Sequence, residues 1–125
     1  MPRTTVTLTS NRYPELARRM PHALREIRQE TAAEIETTIK TGMAASSSPS
    51  MPGSMPGVDT GALINSIQVE EEGSDVTAVF TNQEYAPHLE YGTIHMAARP
   101  FMTPSAEAAR AGWLRRLRGL ESRLE

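Results

Sequence analysis

The residues best suited to chemistry in this chain are its histidines and the carboxylates near one of them. The histidines are His22, His88 and His95, and His88 forms an H-x-E triplet with Glu90. Zinc deaminases use such a triplet together with cysteine ligands, and this chain contains no cysteine. The H-E-x-x-H pattern of zinc proteases is also missing. We therefore expect no metal and no other cofactor.

The sequence gives little support to a carboxylate pair, a nucleophilic serine or a phosphate-binding loop. Glu84 and Glu90 could form the carboxylate pair of a glycoside hydrolase, but one Trp, three Tyr and two Phe are too few to line a sugar cleft. The serines lie outside a G-x-S-x-G elbow, and there is no glycine-rich phosphate loop. The sequence predicts a protein that is not an enzyme, with a small hydrolase using Glu84, Glu90 and His88 as a competing hypothesis.

Charge and composition narrow the function classes further. Thirteen basic residues against fifteen acidic ones give a net charge of −2, which argues against a protein that coats nucleic acid. Hydrophobic residues make up 38% of the chain, so the core is expected to be small and aliphatic, and partners are expected to add stability. No apolar run is long enough to span a bilayer, which favours a soluble protein made in the cytosol.

The N-terminal part of the chain predicts a strand followed by a long helix. Residues 4–9 alternate threonine with apolar residues, which is typical of a strand with one buried face. From residue 13 to residue 42, apolar residues recur at spacings of three and four, as in an amphipathic helix. Pro21 is expected to break this segment, because an interior proline costs about 3 kcal/mol, and Gly42 is expected to end it. The charged residues beside the apolar stripe are interpreted as a solvated helix face.

A loop rich in serine, methionine, proline and glycine follows over residues 43–58. It contains the tetrapeptide Ser-Met-Pro-Gly twice in tandem. A loop of about 15 residues without secondary structure is uncommon in a small domain and is often functional. Because methionine adapts to many surfaces, one interpretation is a mobile loop that docks on a neighbouring subunit, and the other is a flexible insert. The candidate inter-subunit contact residues are Met51, Pro52, Met55 and Pro56.

The next segments predict a short helix and a β-hairpin. Asp59 and Thr60 are suited to cap a helix over residues 61–66. Two alternating runs, 67–72 and 76–82, are separated by a turn that contains glycine, which predicts a hairpin. The apolar positions of this alternation are Ile67 and Val69 in the first strand and Val76, Ala78 and Phe80 in the second.

The last part of the chain predicts an irregular segment and a long helix. Residues 83–102 show no regular period, and residues 103–125 follow helical spacing, with Thr103 as the cap and arginines on the outer faces. We therefore predict one domain over residues 1–125, of the α+β class. It would contain a small, mainly antiparallel sheet with a β-hairpin, flanked by long N-terminal and C-terminal helices.

Three segments, taken in order, resemble those of a known family. They look like the tail components of long-tailed bacteriophages, which are small neck and tail-completion proteins. The resemblance covers residues 56–110 and extends to the N-terminal helix only as a general helical pattern. The residues that carry it are Asp59, Thr60, Gly61, Leu63, Ser66 and Ile67 in the first segment, Tyr85, Glu90, Gly92 and Thr93 in the second, and Arg99, Pro100 and Phe101 in the third.

The resemblance implies a structural role in the virion. Such proteins form homo-oligomeric rings, often hexameric, at the head–tail junction or at the tail end. The expected partners are copies of the chain and the neck, portal-side and tail-tube proteins, with DNA only passing through the lumen and no membrane. The implied location is the neck or tail region of a virion assembled in the host cytoplasm.

Several motif residues have expected structural roles. Gly92 is expected to adopt a backbone conformation closed to other residues. Glu90 and Arg99 could form an ion pair, either within one subunit or across a ring interface. Tyr85 and Phe101 are expected to anchor the core.

Two questions stay open at this point. A head-closure or connector ring and a tail-tube terminator ring are not distinguished, although the glutamates of residues 70–72 could give a lumen its acidic lining. A competing class is a DNA-binding module that uses the arginines of the last helix, whose contacts with phosphates would be strongly salt-dependent.

Overall fold

The computed structural model describes residues 13–46, 50–57 and 61–124. Long helices flank a two-stranded antiparallel sheet, which confirms the predicted α+β class. The predicted strand over residues 4–9 and the predicted caps Asp59 and Thr60 lie outside the described residues. The elements are α1 (Tyr13–Ala45), α2 (Ala62–Ser66), β1 (Gln68–Glu72), β2 (Val76–Phe80), α3 (Ala86–Tyr91), α4 (Met102–Arg118) and α5 (Leu120–Leu124).

The first helix is longer than the sequence predicts. It continues through Pro21, whose side chain is exposed, and it ends at Ala45, beyond Gly42. The predicted break is wrong because tertiary contacts hold the helix on both sides of the proline. On the N-terminal side, Arg19 Nη1 donates a hydrogen bond to the Leu124 carbonyl oxygen at 2.9 Å, and on the other side Ile27 is fully buried.

The extension of α1 past Gly42 adds a buried side chain to the hydrophobic core. Met43, in the last turns of α1, is 1% exposed. Gly42 lies directly against Met55, and a Cβ at this position would overlap the Met55 sulfur. The predicted loop over residues 43–58 therefore begins later, at Ser46.

The core forms where the C-terminal half of α1 meets α2, α3 and the start of α4. Phe101 is 1% exposed, which confirms its expected role as a core anchor. Two residues of the first motif segment, Leu63 and Ile67, also belong to this core, so this segment contributes to the hydrophobic interior. The buried members of the cluster are Ile39, Met43, Leu63, Ile67, Ala86 and Phe101.

The hairpin presents one face to α1 and the other face away from it. Val69 lies opposite Val79, and Glu71 lies opposite Thr77. Directly opposed side chains share a face, and Glu71 Oε2 is 3.8 Å from Arg28 Nη2 of α1, so this face packs on α1. The predicted hairpin is confirmed, but the register places the apolar series of β2 on the other face. We call that face the hairpin outer face, which consists of Gln68, Glu70, Glu72, Val76, Ala78 and Phe80.

Arginines of the C-terminal helices bind a row of glutamates on α1. Arg116 Nη1 donates hydrogen bonds to Glu34 Oε2 and Thr31 Oγ1, both at 3.0 Å. Arg123 donates to both carboxylate oxygens of Glu30, at 3.0 and 2.7 Å. The hydrogen bond from Arg123 outweighs burial and lowers the pKa of Glu30 below its ordinary value. The prediction of a purely solvated helix face is therefore wrong for Glu30 and Glu34.

The predicted C-terminal helix is divided into two. α4 ends at Arg118 and α5 begins at Leu120, and the Gly119 N–H donates to the Arg115 carbonyl oxygen at 3.1 Å. Leu124, near the end of α5, is 6% exposed. The C-terminal segment thus continues to pack on α1 after the break.

We predict that Arg116→Met lowers the free energy of unfolding by about 1 kcal/mol, because its guanidinium holds α4 against two acceptors on α1. Arg18→Met is the matched control, since Arg18 is an exposed α1 arginine without an ion pair among the described residues. Urea denaturation followed by circular dichroism measures both variants. Equal shifts in the two midpoints would contradict the proposed role of Arg116.

Candidate assembly site

Glu90 caps the start of α4 from a different helix. Its side chain is buried, with 8% of the residue exposed. Oε2 accepts hydrogen bonds from the N–H groups of Phe101 at 2.8 Å and Met102 at 3.0 Å, and Oε1 accepts one from Thr103 N–H at 2.8 Å. The first N–H groups of a helix have no partner within the helix, and Phe101, at the N-cap of α4, provides no side-chain cap. We call this arrangement the amide cradle.

The amide cradle also corrects the predicted cap of the last helix. The sequence predicts Thr103 as the N-cap residue. In the structure Phe101 is the N-cap residue and α4 begins at Met102, so Thr103 lies in the first helical turn. The negative charge of Glu90 at this helix end is favourable because the helix dipole is positive there.

The cradle sets the protonation of Glu90. Burial alone would raise the pKa of this carboxyl group, because the charged form loses its hydration. Hydrogen bonds from the Thr103 side chain and from the backbone N–H groups of Met102, Phe101 and Thr103 outweigh burial and bring the pKa below the ordinary value of 4.5. Glu90 is thus held as a carboxylate.

Arg99 has partners other than Glu90. Its Nε donates to the Ser50 carbonyl oxygen at 3.0 Å, and its Nη1 donates to the Ala97 carbonyl oxygen at 3.4 Å. The two side chains make no ion pair in the described chain, so the hypothesis that they pair within one subunit is wrong. Arg99 instead connects the Ser-Met-Pro-Gly loop to the segment before α4.

The two tetrapeptides of that loop have different environments. Met55 packs against the core cluster, Pro56 is buried, and the Met55 carbonyl oxygen accepts a hydrogen bond from Ser46 Oγ at 2.5 Å. Met51 and Pro52 are exposed. The four predicted inter-subunit contact residues are therefore divided, because Met55 and Pro56 pack within their own subunit whereas Met51 and Pro52 are presented to solvent.

Gly92 ends α3 in a conformation that other residues do not adopt. Its φ of 77° and ψ of 175° lie in a region that is accessible essentially to glycine alone. A Cβ would also approach the Ala98 nitrogen and the Met96 oxygen to 2.9 Å each. The expected special backbone at Gly92 is confirmed. Thr93 and Met96 then close a tight turn through N–H···O bonds of 2.8 and 3.3 Å.

Three exposed apolar side chains project beside this turn. Ile94 is 94% exposed, Tyr91 79% and Met51 71%. The chain segments that carry them meet at Ala98, because Gly92 lies against the Ala98 backbone and the Gly53 N–H donates to the Ala98 carbonyl oxygen at 2.8 Å. We call Met51, Tyr91 and Ile94 the tip. Sequence reasoning missed Tyr91 and Ile94, since the irregular segment that contains them has no period from which exposure could be predicted.

The remaining motif residues lie around α2 and on either side of α3. Gly61, with φ 83°, precedes α2. Ser66 Oγ donates to the Leu63 carbonyl oxygen at 2.6 Å and lies 2.6 Å from Thr81 Oγ1. Pro100 is half-buried, next to Phe101 in the sequence. Tyr85 is 41% exposed, so its expected role as a core anchor is wrong.

The candidate catalytic groups do not come together. The Glu90 oxygens face the α4 backbone, whereas Glu84 and His88 are exposed. An open groove of about 390 Å³ between α1, the hairpin and α4 is lined mainly by apolar side chains. Its charged residues are Arg28 and Asp75. Within the described ranges, no cluster of acidic residues and histidines could hold a metal, and no helix there could cross a membrane.

We predict that Glu90→Gln lowers the free energy of unfolding at neutral pH by about 1–3 kcal/mol, because the amide cradle loses its charged acceptor. Since the folded pKa of Glu90 is below its ordinary value, the stabilisation is present above that value and is lost as the pH falls through the folded pKa. Denaturant titrations across this acidic range should be flatter for Glu90→Gln than for Glu84→Gln, the exposed control. Identical pH profiles would contradict the role of the cradle.

We also predict that Gly92→Ala destabilises the protein by about 2 kcal/mol more than Gly73→Ala, because its Cβ meets backbone atoms. Gly73 is a matched control, since it also has a positive φ, 72°, but no atom lies within 4 Å of the added Cβ. Thermal unfolding compares the two variants. A loss at Gly92 no larger than the loss at Gly73 would refute the close approach at the turn.

A family model described as "Bacteriophage HK97-gp10, putative tail-component" matches residues 10–92. This range covers more than half of the chain, includes α1, and ends at Gly92, before the third motif segment. No curated protein and no solved structure matches the chain. The match confirms the resemblance to phage tail components, which places the chain among structural virion proteins that contact other proteins of the tail. The chain belongs to the HK97 gp10-like family of bacteriophage tail components.

Proposed function

We propose that this tail component forms a ring at the head–tail junction or at the tail end and acts as a connector or tail-completion protein without catalysis. Its partners would be copies of itself and the adjoining neck, portal-side and tail-tube proteins, with DNA only passing through the lumen. The resemblance to this family implies a ring of six subunits, or of another number of subunits that matches the symmetry of the neck. The observation that carries the proposal is the tip.

The tip has the composition of a protein-binding surface. Tyrosine and methionine are enriched at protein interfaces, and Ile94 adds an aliphatic side chain that is almost fully exposed. Large exposed apolar side chains that occur in one region of a surface are typical of a site that a partner covers. We infer that an adjoining virion protein covers the tip in the assembled tail.

The support beneath the tip also favours a contact role. Tyr91 belongs to α3, which Glu90 connects to α4 through the amide cradle. Gly92 fixes the turn that carries Ile94, and the hydrogen bond of Gly53 to Ala98 holds the segment next to Met51. Such preorganisation lowers the entropy that is lost on binding.

The alternative of a DNA-binding module has less support. Of the five arginines in the predicted C-terminal helix, Arg116 and Arg123 bind glutamates of α1. Only Arg110, Arg115 and Arg118 of that helix are left for other contacts within the described residues. A tail-tube terminator ring stays an alternative to a connector or head-closure ring.

We predict that the double variant Tyr91→Ser/Ile94→Ser keeps its fold but fails to bind tails assembled without this protein, because the apolar tip is removed. Co-sedimentation with such tails measures binding, and native mass spectrometry measures the ring. The control is Met20→Ser, which removes another exposed apolar side chain, 38% exposed, from the N-terminal part of α1.

Three outcomes would contradict the proposal. Wild-type protein that stays monomeric, both alone and with tails, would exclude a ring. Tyr91→Ser/Ile94→Ser protein that binds tails as tightly as Met20→Ser protein would exclude the tip as the contact. Tight, salt-sensitive binding of duplex DNA by a monomer would favour the DNA-binding alternative instead.

A further inference from the structure

The hairpin outer face carries negative charge that is not paired with any described residue. The hairpin segment 68–80 contains four carboxylates and no lysine or arginine. Glu71 is directed towards α1 and its arginines. Glu70 and Glu72 are exposed and make no ion pair within the described chain. Beside them, Val76 of the same face is 47% exposed, although it also borders the groove between α1, the hairpin and α4, and Ala78 and Phe80 are half-buried. This face therefore combines carboxylates with partly exposed apolar side chains.

The outer side of α4 has the opposite charge. Arg110, Arg115 and Arg118 are exposed and take part in no ion pair in the part of the chain that is described. Leu114, between them, is 41% exposed. Helical spacing of three and four places these residues on one side, opposite to the buried Ala109 and Gly112. We call this side the α4 outer face, which consists of Arg110, Ala111, Leu114, Arg115 and Arg118.

We propose that the hairpin outer face of one copy docks on the α4 outer face of the next copy in the ring. This inference rests on the proposed ring function and identifies the surfaces that join its subunits. Glu70 and Glu72 would meet Arg115 and Arg118, while Val76 and its apolar neighbours would meet Leu114. Charge complementarity of this kind guides association and fixes register.

The charges also determine how the copies are related. Two acidic hairpins would repel each other, and two arginine-rich helices would do the same, so a two-fold symmetric pairing through either face is disfavoured. Contact between unlike faces is heterologous, and a heterologous contact closes into a ring when the rotation between subunits completes a circle. The second copy is thus the occupant that fits both faces at once.

Charge reversal tests this contact in the full-length protein. The hairpin variant is Glu70→Arg/Glu72→Arg, the helix variant is Arg115→Glu/Arg118→Glu, and the combined variant carries all four changes. Glu84→Arg/Glu121→Arg is the control for the hairpin variant, since it makes the same change in net charge at exposed acidic residues outside both faces. Native mass spectrometry measures self-association, and circular dichroism checks that each variant folds.

We expect each reversal alone to weaken self-association by at least about tenfold, because like charges then face each other. The combined variant, and a mixture of the hairpin and helix variants, should recover the wild-type mass, because opposite charges again oppose each other. The control should assemble like the wild type. Higher salt should weaken the wild-type assembly, since exposed charges are screened.

Other outcomes would overturn the inference. If the wild type forms a ring and both reversed variants form it equally well, the inference fails while the proposed ring function stands. If the variants keep the wild-type mass but lose binding to tails or to duplex DNA, the faces serve another virion protein or nucleic acid. A wild-type chain that stays monomeric alone and with tails would overturn the ring itself.

Discussion

A buried carboxylate that meets three backbone N–H groups is the interaction on which the rest of this structure depends. The N-terminus of α4 lacks a side-chain cap of its own, and Glu90 supplies one from α3. Because α3 ends at Tyr91, directly after Glu90, and Gly92 follows it, the hydrogen bonds that position α4 also position the turn next to Tyr91 and Ile94. One polar contact thus connects the hydrophobic core to the most exposed apolar side chains.

The motif residues and the proposed contact residues have separate roles. Motif residues such as Glu90, Gly92 and Phe101 satisfy backbone groups, allow close approach or fill the core. The exposed residues beside them, on the tip, the hairpin and α4, are left to meet partners. This division suits a building block with a small core, which gains stability when its surfaces are covered by other subunits.

Local features were predictable from the sequence, and features that depend on distant contacts were not. The hairpin follows from alternation around a glycine turn, and the backbone at Gly92 follows from the chemistry of glycine. The continuation of α1 through Pro21 depends on contacts such as Arg19 with Leu124, which are far apart in the chain. The partners of Glu90 are backbone N–H groups at the start of another helix. Backbone groups leave no mark in the sequence, so the sequence predicts Arg99 as the partner of the carboxylate instead.

In this account, the protein acts through surfaces that contact other subunits of the virion. Amide hydrogen exchange, measured on the free chain and on the chain within assembled tails, tests this claim most directly. The account predicts strong protection on assembly in residues 51–53 and 91–96, around the tip, with additional protection in the hairpin. Exchange that stays unchanged in these segments on assembly, while residues lining the groove between α1 and α4 become protected, would contradict it.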